Sequence, residues 1–157
     1  MTRKILYGVQ GTGQGHISRA RSVAHALRDF DVDITWLFSG RPKDKFFDME
    51  PFGNFKYRQG LTMVTEAGKM KYRKTALGVS PATFIKDATS LDLDPYDLIV
   101  CDYEPVTSWA CKARGRELIG IGHQYAFGKN TPITGDTPMS RLVMQQFAPV
   151  DVPVGLH

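Results

Sequence analysis

Apolar runs alternate with helical patterns along the chain. Lys4–Val9 is a short apolar run between charged residues and a glycine-rich segment, and it reads as a buried strand. Gln10–His16 is a glycine-rich turn. From Ile17 to Asp29, Ile17, Ala20, Val23, Ala24 and Leu27 fall on one helical face, with Ser18, Ser22, His25 and Asp29 opposite. Val32–Phe38 predicts a second strand, ended by Ser39-Gly40-Arg41-Pro42. The middle is less regular: a short helix over Lys43–Met49, strands over Phe55–Arg58 and Leu61–Thr65, a turn at Glu66-Ala67-Gly68, and a hairpin arm over Lys69–Arg73. Ser80 is placed to cap a helix that starts at Pro81 and runs to about Ser90. Asp97–Cys101 is a strand, Glu104-Pro105 opens a helix to Arg114, and Gly115 stops it. Glu117–Ile121 predicts a further strand, Gly122–Pro138 a long loop, and Met139–Phe147 a final helix.

The clearest strands are continuous apolar runs, the pattern of strands covered on both faces. Alternating with helices, they predict an α/β domain with a doubly wound parallel sheet, Rossmann-like because the glycine turn follows the first strand. A chain of 157 residues has the size of one domain.

Composition narrows the classes further. Hydrophobic residues make up 42% and charged residues 23%, as in an ordinary globular protein. No apolar run approaches the roughly 20 residues of a membrane helix, and the N-terminus lacks a signal-peptide core. Cys101 and Cys111 fall in an apolar strand and a helix, and read as buried free thiols of a reducing cytoplasm. Lys and Arg (20) exceed Asp and Glu (16) by four, an excess that permits anionic ligands without indicating nucleic acid. No residues have the spacing of a zinc or iron–sulfur site, and no metal is expected.

The glycine turn decides between chemistries. A phosphate-binding P-loop closes on Lys-Ser/Thr, whereas here Gly15-His16-Ile17 stands. A dinucleotide fingerprint needs a third glycine where this chain has His16, and an acidic residue after the second strand where it has Arg41. Arg41 suits at best a 2′-phosphate, so an NADP-binding or other phosphate-ligand module stands as the alternative reading.

Gly11-Thr12-Gly13-Gln14-Gly15-His16 resembles the first loop of the GT-B glycosyltransferases, in particular the lipid-intermediate N-acetylglucosaminyltransferases of peptidoglycan synthesis and the small-molecule UDP-glycosyltransferases. Tyr96–Pro105, followed by a helix, Gly115 and the strand at Ile119, is similar to a second passage of that superfamily. The resemblance covers roughly residues 4–28 and 94–127. It departs at Ser18-Arg19, where the superfamily often has a proline nearby. GT-B enzymes have two Rossmann-like domains, the first mainly holding the acceptor and the second the nucleotide-sugar. The resemblance therefore implies that residues 1–157 form the N-terminal, acceptor-binding half of a GT-B fold. The C-terminal nucleotide-sugar domain would lie outside this chain, which ends at Val152–His157 without a stop signal of its own. A nucleotide-sugar would then be the donor substrate, with no cofactor.

The candidate chemistry lies where the strand order reverses. His16 follows the first strand and Asp102 the fourth core strand, so both reach one crevice at the carboxyl edge. An imidazole oriented by a carboxylate is a general base, able to take the proton of a hydroxyl that attacks an anomeric carbon in an inverting transfer. Gly11, Gly13 and Gly15 would let an acceptor approach the backbone. Arg19, in the first helical turn, opposes the helix dipole and is either a flank residue or a contact for an anionic acceptor. Glu104 is a helix-start residue and a candidate substrate contact; after the fifth core strand, His123 is a second candidate base or an acceptor contact, with Gln124 beside it as a further candidate contact. The basic run Lys69–Lys74 is a solvated face that also suits peripheral contact with an anionic membrane carrying a lipid-linked acceptor.

Overall fold

A computed structural model describes residues 1–62, 65–66, 69–70, 80–126 and 138–156. Strand β1 (Arg3–Gln10) leads into helix α1 (Gln14–Leu27), then β2 (Val32–Ser39). Two single-turn 3-10 helices (Lys43–Lys45 and Glu50–Phe52) precede the short strand β3 (Lys56–Tyr57). A small antiparallel pair follows, β4 (Thr65–Glu66) with β5 (Lys69–Met70). Helix α2 (Pro81–Thr89), β6 (Leu98–Asp102), α3 (Pro105–Arg114), β7 (Ile119–Gly122), α4 (Pro138–Phe147) and β8 (Val152–Gly155) complete the order.

The main sheet has six strands in the order β3-β2-β1-β6-β7-β8, and every pairing in it is parallel. The order reverses between β1 and β6, which lie side by side with Val9 opposite Asp102. This is the doubly wound arrangement expected from the apolar runs.

Side-chain alternation along the strands divides the core into two layers. Ile5, Tyr7, Val9, Trp36, Phe38 and Val100 face α1 and meet its Ile17 and Ala20. Leu6, Leu37, Ile99 and Cys101 face the other way and meet Val106, Ala110 and Cys111 of α3. Gly8 shares the second face, and α3 presses directly on it: a Cβ there would lie 2.5 Å from Thr107 Oγ1 and 3.0 Å from Glu104 Oε2. Thr107 and Glu104 are both fully buried, so neither can swing away. Gly8→Ala therefore lowers stability by about 1–3 kcal/mol, the usual effect of overpacking. A lower urea midpoint at unchanged slope is the expected result; an unchanged midpoint would show that α3 can back away from the sheet.

Local signals account for most boundaries. Ser80 Oγ caps α2 by accepting from Thr83 N–H, and Pro81 occupies its first turn. Gly115 ends α3 in the left-handed conformation (φ 62°). Several places differ from expectation. Of the strand expected over Leu61–Thr65, Leu61 and Thr62 are irregular and Thr65 opens β4, and the loop expected from Gly122 begins with a 3-10 turn, His123–Ala126. Helix α1 begins at Gln14 rather than Ile17, with Gly13 as N-cap, so His16 stands on its first turn instead of in the loop. The helix expected over Lys43–Met49 is a single 3-10 turn, because Phe46, Met49 and Phe55 turn inward to pack beside Phe38 and Phe52. Strand β8 was not foreseen. It is an exposed edge strand on which Pro153, lacking an N–H, is tolerated. Of the basic run Lys69–Lys74, residues 71–74 lie outside the described residues, as does most of the loop expected over 122–138.

Candidate active site

The backbone around Asp102 sends two acidic side chains to opposite faces of the sheet. Asp102 has the same parity as Val100 and so points to the α1 face. Tyr103, the next residue, has φ 54°, a left-handed conformation rare outside glycine. It is held there by burial, by a hydrogen bond from its hydroxyl to Met144 O (2.9 Å) and by stacking on Phe147. The reversal at Tyr103 carries Glu104 to the α3 face instead of leaving it beside Asp102.

Glu104 is consequently interior, a correction to its expected role as a substrate contact. It is fully buried and caps α3, Oε1 accepting from Val106 N–H (2.8 Å) and Oε2 from Thr107 N–H (2.7 Å). Ser39 Oγ donates to Oε1 from the end of β2. Burial pushes its carboxyl above the ordinary range, and the bonds from Ser39, Thr107 and Val106 oppose that shift. The side chain that caps α3 is therefore Glu104 and not Asp102.

Asp102 is fully buried and holds the site together. His16 Nδ1 lies 2.7 Å from Oδ1, the pairing expected from strand adjacency. Arg19, one helical turn beyond His16, grips the same carboxylate with two nitrogens: Nε to Oδ2 at 2.6 Å and Nη2 to Oδ1 at 2.7 Å. The hydrogen bond to Asp102 raises the Arg19 guanidinium above its already high range. This corrects the expected place of Arg19, whose guanidinium is engaged by Asp102 and does not stand open to an acceptor anion. With α1 starting at Gln14, Arg19 lies in its second turn, where its spacing of three from His16 puts both side chains on the face that meets Asp102. Arg21 is separate, donating to the carbonyls of Asp48 and Phe47.

The tautomer follows from these partners. Asp102 Oδ1 is an acceptor, so Nδ1 of neutral His16 carries the proton and Nε2 keeps a lone pair. Gln124 Nε2 lies 3.4 Å from that lone pair, in position to donate. Gln124 Oε1 is buried without a hydrogen-bond partner. Gly122 gives this cluster room: a Cβ there would lie 3.3 Å from both Asp102 Oδ1 and Gln124 Oε1. The Tyr103 ring lies parallel to the imidazole, 6.4 Å away. His16 retains 14% side-chain exposure, which leaves it reachable from the crevice.

The remaining candidates divide. His123 does not join the pair; its Nδ1 lies 3.1 Å from Leu156 O. Gly11 is a packing glycine, since a Cβ would lie 2.7 Å from the Phe46 ring and 2.8 Å from Ser39 O, a correction to its expected role beside an acceptor. Among the described residues Gly13 and Gly15 face open space, with nothing nearer than His16 Cδ2 at 3.9 Å from a Cβ on Gly13 and nothing within 4 Å of one on Gly15. Arg41 donates to Thr12 O and Lys45 O, so the cation that would have served a 2′-phosphate is committed to the loop. Cys101 and Cys111 are free and buried, and burial raises both thiols, Cys111 to about 12. Among the described residues no helix is long and apolar enough to cross a membrane.

Comparison with known proteins places this geometry in a family. No curated protein matches the chain. Among solved structures, MurG of Acinetobacter baumannii aligns at 16% identity with a TM-score of 0.46, covering 76% of this chain and 35% of that one. The chain thus spans about a third of the length of that protein. The family described as Glycosyl transferase family 1 matches residues 3–139, a stretch holding both passages that carried the resemblance. By that match over most of its length, the chain belongs to glycosyl transferase family 1.

Proposed function

We propose that residues 1–157 are the N-terminal, acceptor-binding half of an inverting GT-B glycosyltransferase that moves a sugar from a nucleotide-sugar to a hydroxyl acceptor. The observation that carries this reading is the His16–Asp102 pair at the reversal of strand order, its Nε2 lone pair turned away from the carboxylate. Family membership supports it. The acceptor hydroxyl gives its proton to His16 Nε2 while its oxygen bonds to the anomeric carbon. The bond from that carbon to the donor phosphate breaks, and the nucleoside diphosphate leaves with the electron pair. Asp102 fixes the orientation of the imidazole through its contact with Nδ1. Gly13 and Gly15 leave bare backbone at the start of α1 for the acceptor to approach, and Gln124 yields its place at Nε2 to the incoming hydroxyl.

In this reading the donor is held mainly by a second Rossmann-like domain, and the acceptor is a lipid-linked hydroxyl met at a membrane surface. The buried free thiols support a reducing cytoplasm as the compartment. The test is ligand binding and turnover with purified residues 1–157. Hydroxyl acceptors should perturb the NMR signals of His16 and Gln124, while UDP-sugars bind weakly and are not turned over. Turnover of a UDP-sugar by these residues alone would refute the division of labour. Tight NADP binding would favour the phosphate-ligand alternative.

A further inference from the structure

We infer that Arg19 is a positioning residue for His16: its fork on Asp102 locks the carboxylate so that the imidazole is held in the single tautomer with the proton on Nδ1 and the lone pair on Nε2. The inference rests on the reading of His16 as the base, and it adds a residue and a device to that reading. A carboxylate with one hydrogen-bonded neighbour can rotate about its Cβ–Cγ bond and present either oxygen. Two parallel bonds from one rigid guanidinium remove that freedom. Both Asp102 oxygens are bound by Arg19, and Oδ1 takes the third contact, the one from His16. The 3.1 Å approach of Arg19 Nη2 to His16 Nδ1 is the side of a triangle whose two donors converge on that oxygen.

Charge supports the same conclusion. Asp102 is fully buried, and a lone buried carboxylate beside an imidazole would draw a second proton onto the ring. Arg19 already balances the carboxylate, so the pair needs no further positive charge. Among the described residues, the other groups at the ring are uncharged: the Gln124 amide at Nε2 and the Tyr103 ring. Tyr7, whose hydroxyl is buried without a partner and is driven up by burial and by Asp102, also stays neutral. The lone pair on Nε2 is thus maintained from the opposite side of the ring, by a residue that need not touch the substrate.

The experiment is a nitrogen-15 NMR reading of the His16 imidazole in the 157-residue chain, for the wild type, Arg19→Lys and Arg19→Met. The wild type should show one neutral tautomer, protonated on Nδ1. Arg19→Met should lose that uniformity, giving a mixture in which the Nε2–H form appears. Arg19→Lys, which restores the charge without the fork, should fall between the two. A uniform Nδ1–H tautomer in Arg19→Met would overturn the inference, as would a wild type protonated on Nε2. Should Arg19→Met fail to give a folded spectrum, the lysine variant decides: a wild-type tautomer ratio there would rule out the fork. The tautomer is read without any turnover, so loss of the base assignment by kinetics and loss of the Arg19 assignment by NMR are separate results.

Discussion

If His16 is the base of the proposed transfer, replacing it with alanine lowers kcat of sugar transfer by about 10²–10⁴-fold and leaves the acceptor KM nearly unchanged. The asymmetry follows from the geometry. The His16 side chain is only 14% exposed, a small contact area for ground-state binding. Its contribution comes when the hydroxyl proton is in flight. Asp102→Asn should give a smaller loss, because the imidazole remains while its tautomer is less well fixed. Donor affinity should stay constant in both, since the donor is assigned to the other domain. Steady-state kinetics with separate donor and acceptor titrations read these quantities. An unchanged kcat in His16→Ala would remove it as the base, and a loss confined to the donor KM would contradict the assignment of this half to the acceptor.

Replacing Glu104 with alanine is expected to be the most damaging change to the fold that leaves the crevice untouched. It removes three hydrogen bonds at once and leaves two backbone N–H groups and the Ser39 hydroxyl unpaired in the interior. Lost caps and unsatisfied buried donors together cost about 2–4 kcal/mol. At this length each kcal/mol corresponds to roughly 2–4 °C in Tm, so thermal denaturation should show a fall of about 5–15 °C. Glu104→Gln keeps one acceptor and should lose less. The pH dependence has a definite sign. The folded carboxyl titrates above its ordinary 4.5, so between that value and the raised one the native state binds more protons than the unfolded chain. Glu104 therefore favours the fold on the acid side of that window and loses this contribution as the pH rises through it. The slope should vanish in Glu104→Gln. A melting temperature within a degree of wild type in Glu104→Ala would mean that water or a neighbour replaces the cap.

Much of this was legible in the chain, for identifiable reasons. Continuous apolar runs such as Leu98–Cys101 can only be strands covered on both sides, which predicts the parallel sheet and hence the adjacency of His16 and Asp102. Capping residues such as Ser80 and Gly115 mark helix ends because their chemistry is local. Three features were not local. The partner of Arg19 lies 83 residues away, so the sequence showed only a cation on the helix after the glycine turn. The left-handed turn at Tyr103 carries no glycine or asparagine to announce it; packing against Met144 and Phe147 imposes it, and it alone separates the tasks of Asp102 and Glu104. Gly11 reads as a ligand glycine until Phe46, 35 positions on, is seen to fill the space a side chain would take.

The register of β1 against β6 has a consequence for how the protein comes to possess a site at all. His16 and Asp102 are separated by 86 positions. Their meeting depends on the Val9–Asp102 pairing, which joins the first strand of the sheet to its fourth in chain order. Closing so long a stretch is entropically slow rather than prohibitive, each doubling of length adding only about 0.6 kcal/mol, and parallel pairings of this kind form late. A half-folded chain with β1, α1 and β2 in place has the glycine turn and the imidazole but neither its carboxylate nor the counter-charge for Arg19. The nascent chain therefore lacks the assembled His16–Asp102–Arg19 cluster until the sheet is joined across its middle, and the ion pair that completes the cluster also fastens the two halves of that sheet.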